Sequence, residues 1–253
     1  MLGVANAPRR LIADEHTYNA LTLVDHRIVA WIKRHRSVLL AVAFIAQILA
    51  SPLADRDPHA GAVLALILLV ILMVGISYQV NRQVDYRALA PFCLLWFVAR
   101  MLEAFAGPDH IYSHLAPAAG LGLSCAALFI IFHRFFSVSM VTRAMLAEAL
   151  VCYLIIAIAF SHLYVLLSRM VDHPFNEQIP VTQSSTFLYF SMDTLSGVGT
   201  GVIAPINPYI RSATGIENMI GIFYLAVVVS RLASSYRLRS RQQGHEPADR
   251  ATE

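Results

Sequence analysis

Between Gly197 and Gly201 the chain reads Gly-Val-Gly-Thr-Gly. Glycine at every second position lets the backbone alternate between right- and left-handed conformations, so successive carbonyl oxygens can face the same way. Four such strands around one axis would stack rings of carbonyl oxygens able to replace the hydration shell of a monovalent cation, with Gly197, Val198, Gly199 and Thr200 lining about three sites. One strand cannot encircle an ion, so this chemistry requires four copies of the chain. Directly upstream, Thr186-Phe-Leu-Tyr-Phe-Ser-Met-Asp-Thr-Leu-Ser196 reads as roughly three turns of helix, with Ser184, Ser185 and Thr186 as candidate N-caps. That length covers only about half the hydrocarbon core of a bilayer. A half-length helix followed by irregular glycine-rich backbone predicts a re-entrant loop, tolerated at membrane depth only where protein or water satisfies the backbone. The negative C-terminal end of the short helix would favour a cation beyond it.

Other residues carry chemistry at lower specificity. Glu217 sits near the outer start of the last apolar run, where a structural bond to the short helix or a neighbouring subunit competes with ion binding. Arg100 and Glu103 are i,i+3 within an apolar run, the spacing of an internal salt bridge. Glu148, with Arg143 nearby, reads as a structural acid at the inner interface. Asp109, His110 and His114 could hold zinc, although a solvated interfacial pair is the commoner reading of that spacing. Cys93, Cys125 and Cys152 all lie inside apolar runs, without a CxxC or Cys/His cluster. No nucleophile–base pair, HExxH motif or phosphate loop is present, and an enzyme is not expected. No cofactor is expected beyond the permeant cation.

The elements that must position these residues follow from composition. The chain is 57% hydrophobic and 14% charged over 253 residues, with a mean hydropathy of +0.60, whereas soluble domains are about 25% charged. The net charge of +3 is too small and scattered for nucleic acid. An all-α membrane protein is expected, with six transmembrane helices over Ser37–Ala54, Ala60–Val80, Ala88–Gly107, His114–Phe132, Ala144–Leu167 and Gly215–Ala233. The re-entrant pore helix and loop lie between the fifth and sixth. Pro91 and Pro117 fall in the first turns of their spans, where a missing N–H costs little. Alternating the connections puts Arg9, Arg10, Arg27, Lys33, Arg34, Arg36, Arg82, Arg87, Arg134, Arg143, Arg231, Arg237, Arg239, Arg241 and Arg250 on one side. Only Arg56, Arg169 and Arg211 lie opposite, so both termini are expected in the cytoplasm of a cell (inner or plasma) membrane. The first apolar run begins at residue 37, so no cleavable leader is expected. Residues 1–36 form a cytoplasmic segment whose Leu21, Val24, Ile28, Trp31 and Ile32 suit either an interfacial amphipathic helix or an extension of the first span. The remaining divisions are a four-helix region over 37–134, a pore unit over 143–235 and a polar tail over 236–253. The fourth span has no Arg or Lys between His114 and His133, which excludes a voltage-sensor pattern.

Thr194-Leu-Ser-Gly-Val-Gly-Thr-Gly-Val-Ile-Ala-Pro205 resembles the pore signature of potassium channels, T-x-T-T-V-G-Y-G-D-I-x-P. The stretch from Arg211 to Leu232 is similar to the inner helix of bacterial two-transmembrane-type pore domains. The resemblance covers roughly residues 144–235. It implies a homotetrameric cation channel in a lipid bilayer, with Gly197–Gly201 as selectivity filter. Asp193, Thr194, Ser196 and Glu217 would then support filter and pore helix. Gly221 matches the family's hinge glycine, with close helix packing as the competing reading. Three positions depart from the pattern: Gly197 replaces a threonine that supplies a ligand hydroxyl, Thr200 a packing tyrosine, and Val202 the outer aspartate. With Val202 there, Asp193 lacks the partner it has in some family members. These departures predict a softer filter with weak potassium selectivity, which Gly197→Thr with Thr200→Tyr would sharpen. A non-conducting or regulatory pore homologue is the first alternative. A small transporter is the second, disfavoured because no internal repeat is evident.

Overall fold

The computed structural model describes residues 37–53, 55–57, 59–61, 63–64, 67, 83–106, 114–137, 143–176, 179 and 183–243. The amphipathic segment expected over 19–36, most of the second expected span, Asp109 with His110, and the tail from residue 244 lie outside the described residues. Among the described residues the architecture is all-helical, with one isolated bridge between Phe175 and Pro205. The helices are α1 (Ser37–Leu53), α2 (Gln83–Ala106), α3 (Leu115–Ser137), α4 (Arg143–Ser168), α5 (Ser184–Ser196) and α6 (Pro208–Gln243). Among the described residues three stretches are long and apolar enough to cross a bilayer, Leu115–Phe132, Leu146–Ser168 and Pro208–Arg231. α1 is apolar but shorter.

Several boundaries differ from the sequence expectation. α2 starts at Gln83, so Pro91 lies inside the helix rather than in its first turn. Its ring removes one i→i−4 bond, a defect that surrounding packing must offset. α6 starts seven residues before Gly215 and runs ten past Ala233. Asn207 Oδ1 accepts the Tyr209 N–H at 3.0 Å, and Pro208 occupies the first helical position. An Asn-Pro pair of this kind is a helix-start signal that hydropathy alone passes over. At its other end the helix continues through Ser234–Arg241 without a break, so the division at residue 235 falls inside one element.

Consecutive helices pack in order from α2 to α6, and α4 also touches α6. One core joins Leu40 and Phe44 of α1 with Cys93 and Trp96 of α2, Leu123 and Ala127 of α3, and Val151 and Ile155 of α4. A second gathers Tyr164 and Val165, Phe175, Phe187 and Phe190 of α5, and Ile210 of α6. The rings of Tyr164, Phe175 and Phe190 meet edge-on, with the Phe190 centroid 5.0 Å from both of the others.

Polar contacts cross the helices at both ends. Glu103 accepts from Arg100 at 2.7 Å, the expected i,i+3 bridge, and also from Arg169 at 3.1 Å. The second contact ties α2 to the end of α4. At the other end, buried Glu148 accepts from Ser37 Oγ at 3.0 Å. Its neighbour Ala149 offers a carbonyl to the Tyr224 hydroxyl at 2.5 Å, which fastens α6 to α4.

Candidate functional site

α5 buries Phe187, Phe190, Ser191, Thr194 and Leu195. Its 13 residues span about 20 Å, well short of a membrane-crossing helix. Gly197 ends it as a left-handed cap at φ 71°, donating its N–H to the Thr194 carbonyl at 3.0 Å. Gly199 (φ 60°) and Gly201 (φ 71°) are left-handed too, while Val198 and Thr200 between them are not. The alternating backbone read from the glycine spacing is therefore present. A Cβ on Gly199 or Gly201 would meet nothing within 4 Å, so glycine is required by conformation rather than by space. All five residues are exposed.

The loop is restrained at Thr200 by side chains of α5. Asp193 Oδ2 accepts the Thr200 N–H at 2.8 Å and the Thr200 hydroxyl at 3.1 Å. Tyr189 lies 3.2 Å from the same hydroxyl and, with Thr200 already donating to Asp193, donates to it. Asp193 is thus not short of a partner, and Thr200 is held by a polar strut. Gly197 also differs from a threonine lacking its hydroxyl. Its left-handed φ is one a β-branched residue avoids, so Gly197→Thr cannot simply add a ligand oxygen.

Beyond the glycines, the chain is held to the α4–α5 connection by Asn176. Its side chain accepts the Ala204 N–H at 2.8 Å and donates to the Val202 carbonyl at 3.3 Å, while its own N–H donates to the Ala204 carbonyl at 2.9 Å. Ile206 N–H donates to the Pro174 carbonyl at 3.0 Å. Nothing in the sequence marks Asn176 for this duty, because its partners lie about thirty residues away and become neighbours only on folding.

Behind the loop, Glu217 is fully buried. It accepts from Tyr164 of α4 at 2.6 Å and from the Ser191 hydroxyl of α5, which also lies 2.7 Å from the Ala157 carbonyl. Glu217 thus pins three helices together, in line with its structural reading. Thr194 is buried in the helix interface, and Ser196 Oγ donates to the Asp193 carbonyl at 3.0 Å. Gly221 is where α6 crosses α5: a Cβ there would lie 2.0 Å from the Leu195 carbonyl oxygen. That contact is the close-packing reading of this glycine, made in a helix continuous through the position.

Asp193, Thr194, Ser196 and the glycine run therefore form one contiguous unit, backed by Glu217 and Gly221 of α6. A family model described as an ion channel matches residues 148–237, which takes in most of α4, all of α5 and the loop, and α6 as far as Arg237. No curated protein matches the chain. The match spans just over a third of the sequence, and with the geometry above it supports an ion channel pore domain over residues 148–237.

Proposed function

We propose that the chain is one subunit of a homotetrameric channel passing monovalent cations, potassium among them, through rings of carbonyl oxygens from Gly197 to Gly201. The observation that carries this reading is the alternation of left-handed glycines directly after a half-length helix. With φ positive at every second residue, neighbouring carbonyls can be presented along one axis, as a dehydrated cation requires. α5 directs its negative end toward that axis. A cation would shed water at the mouth, exchange it for carbonyl oxygens and be displaced by the next.

Fourfold assembly is supported by what α6 leaves uncovered. Only 11% of the Pro208–Arg231 span is buried, against 56% for Leu146–Ser168. Ile216, Met219, Ile222, Phe223, Leu225 and Val229 are all exposed and lie on more than one side of the helix. Lipid can cover one side, and copies of the same helix around a pore can cover the other. In this reading the protein is a multi-pass protein of the inner or plasma membrane, with six spans, a re-entrant α5 and cytoplasmic termini. Gly221 would double as the hinge of α6.

The test is flux from liposomes holding purified protein. Potassium and sodium should pass, and a large organic cation such as N-methyl-D-glucamine should not. Wild-type vesicles no leakier than empty ones would reject conduction and favour the non-conducting homologue.

A further inference from the structure

We propose that Asp55, from the chain just beyond α1, is the N-terminal cap of α5, and that through it the peripheral helices hold the element that ends in the glycine loop. A helix start leaves N–H groups without intrahelical partners, and a side-chain oxygen at the N-cap normally satisfies one. In α5 that position is Gln183, which makes no side-chain cap, and the first turn holds no acidic residue. Asp55 Oδ2 fills the gap from 130 residues away, accepting the Ser185 N–H at 3.1 Å and the Ser185 hydroxyl as well. A carboxylate there also suits the positive end of the helix dipole. Ser185, a candidate cap by sequence, is instead a donor to a cap supplied by a distant segment of the same chain.

The other end of α1 gives this contact its meaning. Ser37, its first residue, donates to Glu148 of α4, next to the Ala149 carbonyl that receives Tyr224 of α6. Ser37 and Asp55 are eighteen residues apart, about 27 Å if helical throughout. α1 with its outer extension thus braces the pore unit at two points, beside the α4–α6 contact and at the start of α5. A shift of α1 against α4 would pull on α5 and on the loop at its far end. This assigns the peripheral helices a hold on the loop rather than a covering role alone. The conducting consequence rests on the channel reading; the cap does not.

Hydrogen exchange and flux on the full-length protein in nanodiscs and liposomes separate the two. Asp55→Ala should speed exchange of the Ser185 amide about fivefold or more, the shift expected for losing a helix cap, and should lower potassium flux severalfold. Asp55→Asn, which keeps an acceptor oxygen, should leave both near wild type and guards against a variant that merely misfolds. Adding Gln183→Asp to Asp55→Ala supplies a cap from the same helix without the link to α1. Protection of the first turn should then return while flux stays low. Unchanged Ser185 exchange in Asp55→Ala would overturn the cap. Full recovery of flux with Gln183→Asp would overturn the link to the periphery. Silent wild-type vesicles would reject the channel reading, while the exchange measurement still decides the cap.

Discussion

At the scale of the residue, the loop depends on backbone conformations that side chains disfavour. Gly199 sits at φ 60° in open space, so Gly199→Ala introduces no clash and acts through the backbone alone. Forcing an alanine there costs about 1–2 kcal/mol, enough to turn the carbonyl it aims. Potassium flux should fall by more than tenfold while the variant still assembles, and unchanged flux would remove residues 197–201 from the conduction path. Gly197→Thr faces the same penalty with a branched side chain, and should lower thermal stability in detergent instead of sharpening selectivity. Thr200 is the better lever on selectivity, because its hydroxyl is tied to Asp193 and faces Tyr189. Thr200→Val should lower the potassium-to-sodium permeability ratio, read from reversal potentials under bi-ionic conditions, and Thr200→Ser should preserve it. Equal ratios in all three proteins would mean that the strut does not set the width of the ring.

At the scale of the element, α4, α5 and α6 are locked by a buried acid and one close crossing. Glu217 joins Tyr164 and Ser191, so Glu217→Ala takes the 2.6 Å acceptor from the buried Tyr164 hydroxyl and leaves Ser191 with the Ala157 carbonyl. A loss of this kind costs about 1–3 kcal/mol, and the melting temperature of the purified protein should drop by several degrees. Glu217→Gln, which still accepts from Tyr164, should lose less. Gly221→Ala should be comparably damaging, because its Cβ would press on a backbone carbonyl that no rotamer change can move. A Gly221→Ala protein as stable as wild type would show that α6 can slide past α5, which would favour the hinge reading of that glycine.

At the scale of the whole molecule, assembly and gating are the quantities to measure. On the proposed channel reading, the uncovered α6 and the single strand per chain predict a tetramer, to be read as fourfold particle symmetry or native mass in mild detergent. A stable monomer or dimer would contradict it. α3 has no arginine or lysine over residues 114–133, so few charges can move in the membrane field. Open probability should therefore change little over tens of millivolts, and a steep rise would contradict the assignment. The ion network of Arg100, Glu103 and Arg169 joins two helices at one end of the bundle, a structural duty that leaves these charges bound.

Sequence alone determined three membrane-length apolar helices, the half-length α5, the alternating glycines and the i,i+3 pair, because each rests on local spacing, on the lack of a Cβ or on the length of an apolar run. It also pointed to the pore unit, since helix, glycine run, Pro205 and inner helix occur in one order along residues 144–235. Tertiary structure alone decided the rest. Asp193 finds Thr200 only because Gly197 turns the chain back at the end of α5. Asn176 holds Val202 and Ala204, Glu217 joins three helices, and Asp55 caps α5 across 130 residues. No periodicity encodes such contacts. Each polar group could have bonded to water or to several other partners, and the partner was chosen when packing of the apolar faces brought the two segments together.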